Sequence, residues 1–291
     1  MFKEFAIDPN SIVNSFIEFK YVVEKFGMHQ GRLIAEFPGK WKRMVYDAAE
    51  AKHTGTTELT RIVEYLSLLK GHKNIFLSKG RHGDYPEKKW IDTALLAHEK
   101  EPFDFIVSEH AKVDPLVIAL NEFDENNPCL ADNRQWNIRR DAVSIAETVS
   151  TLSKFSKKIK IIDPYFDLGV PRYRRPFEEI LKSACNAPSV IDIFRSDRKG
   201  LAELFPAMDR VATKANQRGI GIRLFLRPAE AMHNRYVLTD RGGVTFSTGL
   251  DDDDFGNGTS HDDVTLLDPL IRMAKWDEYD DQVPVAEWLL K

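Results

Sequence analysis

MHNRYVLTDRGGVTFSTGLD, residues 232–251, is the stretch from which both the fold and a candidate site can be predicted. Its apolar residues fall in two short runs, 235–239 and 244–247, which Gly242 and Gly243 separate. Two such runs with a glycine turn between them are typical of antiparallel neighbouring strands. The stretch therefore predicts a β-hairpin within a larger sheet.

The segments on both sides of this hairpin alternate between strand and helix patterns. Strands are expected at 158–163, 189–194, 221–226 and 264–267, and helices at 138–155, 176–185, 201–217 and 270–279. Alternation of this kind is typical of an α/β fold, in which helices cover a central sheet. We therefore predict an α/β sandwich over residues 136–291, with a mixed sheet because its last strands have tight connections.

Residues 1–135 follow a different pattern, and we predict a mostly helical N-terminal region there. Helical stripes of apolar residues are expected at 11–26, 33–45, 57–69 and 90–98, with short β-like runs at 74–77 and 103–107. The polar, turn-rich stretch 122–136 is the candidate boundary between the two domains. We expect the N-terminal region to sense a trigger or bind a partner protein.

The charge of the chain is unevenly distributed, although its total is only -4. Residues 154–240 hold 17 basic and 10 acidic side chains, a net charge of +7, whereas residues 241–291 hold 4 basic and 12 acidic ones, a net charge of -8. The basic segment suggests contact with phosphates. The alternative is a solvated surface whose charge the acidic tail neutralises.

Composition excludes several classes of protein. The chain has two cysteines, Cys129 and Cys185, far apart in sequence, which excludes a disulfide framework and a cysteine-rich zinc site. No stretch approaches 18 apolar residues, and the first residues do not resemble a signal peptide. We therefore expect a cytoplasmic protein that does not bind a membrane.

His233 and Arg235 are the residues of the quoted stretch with the clearest chemistry. They are two apart on a predicted strand, so both side chains are expected to project from one face. An imidazole can act as a nucleophile or move a proton, and a neighbouring guanidinium can bind phosphate oxygens. The following strand is expected to bring Thr248 beside them.

The spacing of His233, Arg235 and Asp240, H-x-R-x4-D, resembles the HKD motif of the phospholipase D superfamily. Ser247 and Thr248 stand in register with the Gly-Ser of that family, and the resemblance extends over roughly residues 155–280. Besides these modest changes of Gly to Ser and Ser to Thr, the sequence departs from the family at two further places. Arg235 stands where the family has lysine, and Leu250, or Asp251 in a shifted register, stands where it has asparagine.

The resemblance implies a phospholipase D-like α/β/α sandwich and phosphodiester chemistry without a metal or another cofactor. In that reading His233 is the nucleophile that forms a phospho-histidine intermediate, while Arg235 and Thr248 bind phosphate. Asp240 is then a structural partner, and Asp262 or Asp263, of which we favour Asp263, orients the histidine.

The resemblance also bears on oligomeric state, because family members with a single motif pair as homodimers. The near matches at His98-x-Lys100 and His110-x-Lys112 lack the required spacing for a second motif. We therefore expect a homodimer in which the two His233 sites face each other.

Basic side chains after the first two strands of the sandwich are candidates for binding nucleic acid. Five arginines belong to this set. Three of them follow the first strand and are interleaved with the aromatic residues Tyr165, Phe166 and Tyr173, and the other two follow the second strand together with Lys199. The five are Arg172, Arg174, Arg175, Arg195 and Arg198. An ordinary exposed loop is the alternative.

The predicted function is a nuclease acting on DNA or RNA, which by analogy with the fold could serve in defence against foreign nucleic acid. A catalytically inactive nucleic-acid-binding or assembly subunit is the main alternative, and a phospholipid-handling enzyme is a third. The acidic stretch 251–254, with His261, Asp262 and Asp263, could form a site for a hard metal ion. We favour a solvated acidic loop for it, because adjacent residues rarely converge on one ion.

Overall fold

The computed structural model describes residues 2–81, 89–110, 114–184, 190–198, 200–253, 259–280 and 283–290. The chain divides into two compact units, Phe2–Asn133 and Arg134–Lys291. The division lies inside the turn-rich stretch 122–136. Cys185, Lys199, Lys112 and Asp254, which figure in the sequence analysis, lie outside the described residues.

The N-terminal unit is built on a parallel sheet with strand order β3-β2-β1-β4-β5. The strands are β1 Lys3–Ile7, β2 Arg32–Ala35, β3 Phe76–Leu77, β4 Phe105–Ser108 and β5 Val117–Ala119, and the helices are α1 Phe16–Glu24, α2 Trp41–His53, α3 Thr57–Leu69 and α4 Trp90–Lys100. Buried side chains of β1, such as Phe5 and Ile7, form one core with residues of the helices, such as Phe19 and Trp41.

The prediction of a mostly helical N-terminal region missed this sheet as its organising element. Strand β1 was not predicted, and Leu33, which was assigned to a helical stripe, lies in β2. Both strands are short and almost fully buried. A strand that is buried on both faces lacks the alternation by which a strand is recognised, and here the buried charged residues Glu4 and Arg32 also interrupt the apolar run.

The C-terminal unit is built on a mixed sheet with strand order β13-β9-β8-β7-β10-β11-β12-β6. The strands are β6 Gln135–Arg139, β7 Lys158–Ile162, β8 Val190–Ser196, β9 Gly221–Arg227, β10 Arg235–Thr239, β11 Gly243–Phe246, β12 His261–Leu266 and β13 Ala286–Trp288, and the helices are α5 Ala142–Phe155, α6 Pro171–Ser183, α7 Leu201–Asn216 and α8 Pro269–Glu278. The predicted α/β class with a mixed sheet is confirmed, and the arrangement agrees with an α/β/α sandwich.

Strand direction brings many loops of this unit to one edge of the sheet. Strands β7, β8 and β9 are parallel, whereas β10, β11 and β12 alternate in direction beyond β7. The carboxyl ends of β7, β8 and β11 therefore meet the amino ends of β10 and β12. We call this end of the strands the site edge. Open α/β sheets commonly bind ligands at the carboxyl ends of their parallel strands.

Helix α8 is tied to the sheet by a lysine in the interior of the unit. Lys160 of β7 is almost fully buried, and its Nζ donates to the carbonyl oxygens of Trp276 and Tyr279 at 3.0 and 3.1 Å. The same Nζ lies 2.6 Å from Asp280 Oδ1 and 4.1 Å from the centre of the Trp276 ring. Burial lowers the pKa of Lys160, whereas Asp280 opposes that shift by favouring the charged form.

We predict that Lys160→Ala lowers the free energy of unfolding by about 2–4 kcal/mol, because carbonyl groups at the end of α8 lose their donor inside the protein. Lys158→Ala, on the exposed first residue of the same strand, is the matched control and should change stability by less than about 0.5 kcal/mol. Urea denaturation measures both values. Equal effects of the two substitutions would show that Lys160 does not anchor the helix.

Candidate functional site

The site edge collects side chains that are far apart in sequence. The register pairs Tyr236 with Ile162, Arg235 with Phe246, and Phe246 with Val264. The residues that follow β7 and β11 and those that begin β10 and β12 are therefore neighbours across the sheet. Four polar residues are brought to this edge in that way: Asp163, Arg235, Thr248 and Asp262.

Asp163 follows β7 directly and is only 1% exposed. Its Oδ1 accepts a hydrogen bond from the backbone N–H of Tyr165 at 2.8 Å, and its Oδ2 accepts one from Leu250 at 3.1 Å. Burial raises the pKa of the Asp163 carboxyl group, while the two hydrogen bonds and the charge of Arg235 favour its ionised form. This carboxylate thus joins the loop after β7 to the loop after β11.

Gly249 is the point at which three charged side chains come close together. A β-carbon on Gly249 would lie 3.0 Å from Asp251 Oδ1, 3.3 Å from Asp163 Oδ2 and 3.7 Å from Arg235 Nε. The backbone φ angle of Gly249 is +152°, which side chains of L-residues rarely adopt. Glycine is therefore required here both for the backbone conformation and for the close approach of these groups.

Arg235 is half-buried at the start of β10. Its Nη1 lies 3.5 Å from the carbonyl oxygen of Ser247, and its Nε is buried with no hydrogen-bond partner within the described residues. An unpaired buried N–H group is costly, so such a group is a candidate for contact with a ligand. Arg235 therefore has hydrogen-bonding capacity to offer an anion at the site edge.

His233 lies before β10, not on it, which corrects the sequence prediction. The strand begins at Arg235, so the alternation of side chains along a strand does not place His233 and Arg235 on one face. The His233 side chain is exposed, and it makes no hydrogen bond or ion pair within the described residues. The imidazole is accessible to a ligand that approaches the site edge.

The acidic residue that bonds to the backbone of Thr248 is Asp262. Neither Asp262 nor Asp263, the favoured candidate for orienting His233, bonds to that histidine within the described residues. Asp262 is 2% exposed, and it accepts hydrogen bonds from the backbone N–H groups of Thr248 and Gly249 at 2.8 and 3.4 Å. Asp263 is exposed and accepts a hydrogen bond from Asn137 Nδ2 at 2.8 Å. Adjacent residues of a strand point to opposite faces of the sheet. Asp262 therefore points to the buried face and Asp263 to the exposed one, and a choice that is wrong by one position selects the wrong face.

Asp240 lies at the opposite end of β10 from Arg235. Its Oδ1 accepts hydrogen bonds from the backbone N–H groups of Lys157 and Lys158 at 2.9 and 3.4 Å, just where β7 begins. Five strand residues at roughly 3.3 Å each separate it from the site edge. Asp240 is therefore in the position of a structural residue that fastens β10 to β7.

The acidic residues after Gly249 pair with arginines. Arg175 donates to Asp252 through Nε and Nη2, both at 2.7 Å, and Arg140 Nη2 lies 2.8 Å from Asp251 Oδ1. Arg172 Nε lies 3.7 Å from the other oxygen of Asp251. In the part of the chain that the structure describes, no three potential ligands form a group that could hold a metal ion.

The predicted arginine and aromatic surface is only partly exposed: the side chains of Arg172 and Arg175 are 49% and 42% exposed, whereas two of its rings are buried. Helix α6 begins at Pro171, so Arg172, Arg174 and Arg175 lie in its first turns and not in a loop. Phe166 and Tyr173 are buried, with ring centres 5.7 Å apart, and therefore cannot stack on a base. The two rings therefore belong to the core and not to a surface for nucleic acid, whereas a role of the neighbouring arginines stays a prediction.

Arg195 is also removed from the candidate nucleic-acid surface. It is 4% exposed, and its Nη1 donates to the carbonyl oxygen of Phe166 at 2.9 Å. Arg198, by contrast, is exposed and has its guanidinium carbon 5.5 Å from the centre of the Tyr165 ring. Of the residues predicted after β8 that the structure describes, Arg198 therefore remains available to a phosphate.

Comparisons with known proteins add only distant likenesses. No protein-family model and no curated protein sequence matches the chain. One similar structure is Nuc, a phospholipase D family member from Salmonella typhimurium, at 15% identity and a TM-score of 0.35, over 50% of this chain and 91% of that one. Another is TrmBL2, an archaeal chromatin protein with a novel mode of DNA binding, at 10% identity and a TM-score of 0.30, over 53% of each chain. Neither likeness is close enough to assign a function.

A search for membrane spans found no helix of sufficient length and apolar character in the described part of the chain.

We predict a specific pH dependence from Asp163, seen as a difference between the wild type and Asp163→Asn. Because burial raises the pKa of Asp163 above its ordinary value of 3.8, the folded protein keeps a proton that the unfolded chain has already released. The wild type therefore loses stability as pH rises from about 4 through the raised pKa. The asparagine variant lacks this titration.

Urea denaturation of both proteins between about pH 4 and pH 7 measures the effect. The free energy of unfolding of Asp163→Asn minus that of the wild type should rise with pH through this window. A hydrogen bond lost in the variant adds an offset that does not depend on pH. A relative stability that stays constant or falls would contradict the raised pKa.

Proposed function

We propose that this protein is a metal-independent phosphodiesterase that cleaves nucleic acid at the site edge. The observation that carries the proposal is the buried Nε of Arg235, which has no hydrogen-bond partner within the described residues and lies two positions after the exposed His233. The H-x-R-x4-D spacing and its resemblance to the phospholipase D motif support the assignment of His233 and Arg235 to one site.

Arg235 and Thr248 bind the phosphate in this proposal. A guanidinium provides several donors in a fixed plane and suits the oxygens of a phosphodiester. Thr248 is exposed, and its backbone is held by Asp262 while its hydroxyl group makes no hydrogen bond within the described residues. The two side chains can therefore stabilise the negative charge that increases on the oxygens in the transition state.

The reaction proceeds in two displacements at phosphorus. A nitrogen of His233 attacks, a nitrogen–phosphorus bond forms, and the bond to the leaving ester oxygen breaks as that oxygen takes a proton from a second, protonated imidazole. Water then attacks the phosphorus, and the nitrogen–phosphorus bond breaks. The proton of the attacking water returns to the second imidazole, so both histidines regain their starting state.

The second imidazole is His233 of another copy of the chain in a homodimer. The C-terminal unit contains one other histidine in its sequence, His261, at the beginning of β12. Its Nδ1 lies 3.1 Å from the carbonyl oxygen of Thr259. A two-fold axis close to the site edge would give each active site one His233 from each chain.

Nucleic acid is preferred to phospholipid as the substrate because cationic side chains remain at the site edge, among them Arg198. A binding or assembly role without catalysis is the alternative that Leu250 at the expected asparagine position would favour. The cytoplasmic location and a role in defence against foreign nucleic acid stay predictions from the sequence.

We predict that the wild type cleaves DNA or RNA in the presence of EDTA and that His233→Ala lowers the rate by at least about 1,000-fold, since the nucleophile is lost. The assay uses labelled single- and double-stranded oligonucleotides of each kind. His72→Ala, a substitution of an exposed histidine in the N-terminal unit, is the matched control and should cleave at the wild-type rate.

Three results would contradict the proposed chemistry in different ways. Equal cleavage by the wild type and His233→Ala would remove His233 from the reaction. Loss of activity in EDTA would indicate a metal-dependent mechanism. Binding without cleavage in both proteins would support the inactive binding subunit instead.

A mixing experiment tests whether the active site is shared between two chains. When the wild type and His233→Ala are co-refolded at constant total concentration, activity should fall with the square of the wild-type fraction, because only wild-type pairs keep both histidines. A linear decrease of activity with the wild-type fraction would show that each chain carries a complete site. Light scattering measures independently whether the protein is a monomer or a dimer.

A further inference from the structure

Tyr165 is an exposed aromatic residue at the site edge, in the loop that follows β7. Its side chain is 46% exposed, whereas the neighbouring Phe166 is packed against the rings of Tyr173 and Phe177. Large aromatic rings contribute most to stability when they are buried. Because the Tyr165 ring is exposed at the site edge, it is available to contact a ligand.

The backbone that carries Tyr165 is held firmly on both sides. The N–H of Tyr165 donates to Asp163 Oδ1, and the carbonyl oxygen of Pro164 accepts from Ser196 Oγ at 2.6 Å and from Ser196 N at 3.2 Å. Phe166 adds a buried anchor immediately after it. A ring on such a backbone is positioned before a ligand arrives, which reduces the entropy lost on binding.

Two guanidinium groups lie against this ring. The guanidinium carbon of Arg198 is 5.5 Å from the ring centre and that of Arg235 is 5.7 Å away, and Arg198 Nη1 lies 3.5 Å from the Tyr165 hydroxyl oxygen. The aromatic ring is thus next to the residue that binds phosphate in the proposed function. A second cation, on Arg198, stands beside it.

A nucleotide offers the two groups that this arrangement fits, a charged phosphate and a flat base joined by a sugar. When Arg235 holds a phosphodiester, the base attached to the neighbouring sugar comes within reach of Tyr165. Arg198 can then contact the next phosphate or stack on the same base. Bases within a duplex are stacked on each other, so this contact is open only to an unpaired base.

We propose that Tyr165 and Arg198 form a base-stacking subsite and that the substrate is single-stranded nucleic acid. This inference rests on the proposed function, because it uses Arg235 as the phosphate ligand. Stacking tolerates all four bases, since each presents an aromatic face. The subsite therefore selects strandedness without selecting sequence.

Binding of fluorescein-labelled oligonucleotides by the full chain tests the subsite directly. Every protein carries His233→Ala so that the probes stay intact, and EDTA is present throughout. The probes are a 12-nucleotide single strand of mixed sequence, the same strand with abasic sites in its central half, and the matching duplex, each prepared as DNA and as RNA. Fluorescence anisotropy gives the dissociation constants.

We expect Tyr165→Ala to weaken binding of the intact single strand by roughly 5- to 100-fold, the range for one lost base stack. The same substitution should change binding of the abasic strand by less than about 2-fold, because no base is present to stack. Tyr165→Trp should keep the affinity for the intact strand. Tyr21→Ala is the matched control, since Tyr21 is an exposed tyrosine beside Lys25, 4.5 Å away, in the N-terminal unit.

The outcomes separate this inference from the proposed function. A Tyr165→Ala protein that binds intact and abasic strands as its parent does would overturn the subsite, as would tighter binding of the duplex than of the single strand or no binding of any probe. The role of His233 is decided independently, by cleavage in the wild type. A selective loss with DNA, RNA or both supports the subsite and identifies the nucleic acid.

Discussion

The arrangement of the site edge depends on one buried carboxylate, that of Asp163. It accepts hydrogen bonds from Tyr165 in the loop after β7 and from Leu250 in the loop after β11, and thereby joins the two loops across β10. Gly249 has no side chain to separate this carboxylate from Arg235. The ionised form is costly in such a buried place, which explains why its pKa is raised, and the hydrogen bonds and the nearby guanidinium compensate for part of that cost.

The sequence was sufficient to predict the central strands and the helices of the C-terminal unit, because they alternate with clear turns between them. It missed the two edge strands β6 and β13, and the predicted helix 138–155 included the end of β6. It was insufficient for β1 and β2 of the N-terminal unit, since short strands buried on both faces carry no alternating pattern. At the site, the motif spacing predicted Thr248 beside Arg235, and the register brings both residues to the site edge. The predicted contact of Asp263 with His233 is absent within the described residues, and Asp262 bonds to the backbone of Thr248 instead. Asp163 was missed as a site residue, although an acidic residue directly after a buried strand was a usable signal.

Charge counts along the chain give an incomplete picture of the surface. The basic segment and the acidic tail are partly paired with each other, because Asp251 and Asp252 of the tail lie next to Arg172 and Arg175. Arg195 is buried and bonded to backbone carbonyl groups. Arg198, which is exposed, and Arg235, whose Nε has no hydrogen-bond partner within the described residues, remain for a substrate at the site edge. Both flank Tyr165.

The central claim is that His233 attacks phosphorus and that water releases the product in a second step. The stereochemical course at phosphorus tests this claim most directly. An oligonucleotide with one phosphorothioate linkage of defined configuration is cleaved in ¹⁸O-labelled water, and the configuration of the product is determined. Two successive in-line displacements each invert the phosphorus, so the account predicts overall retention; inversion would show a single direct attack by water and would contradict a phospho-histidine intermediate.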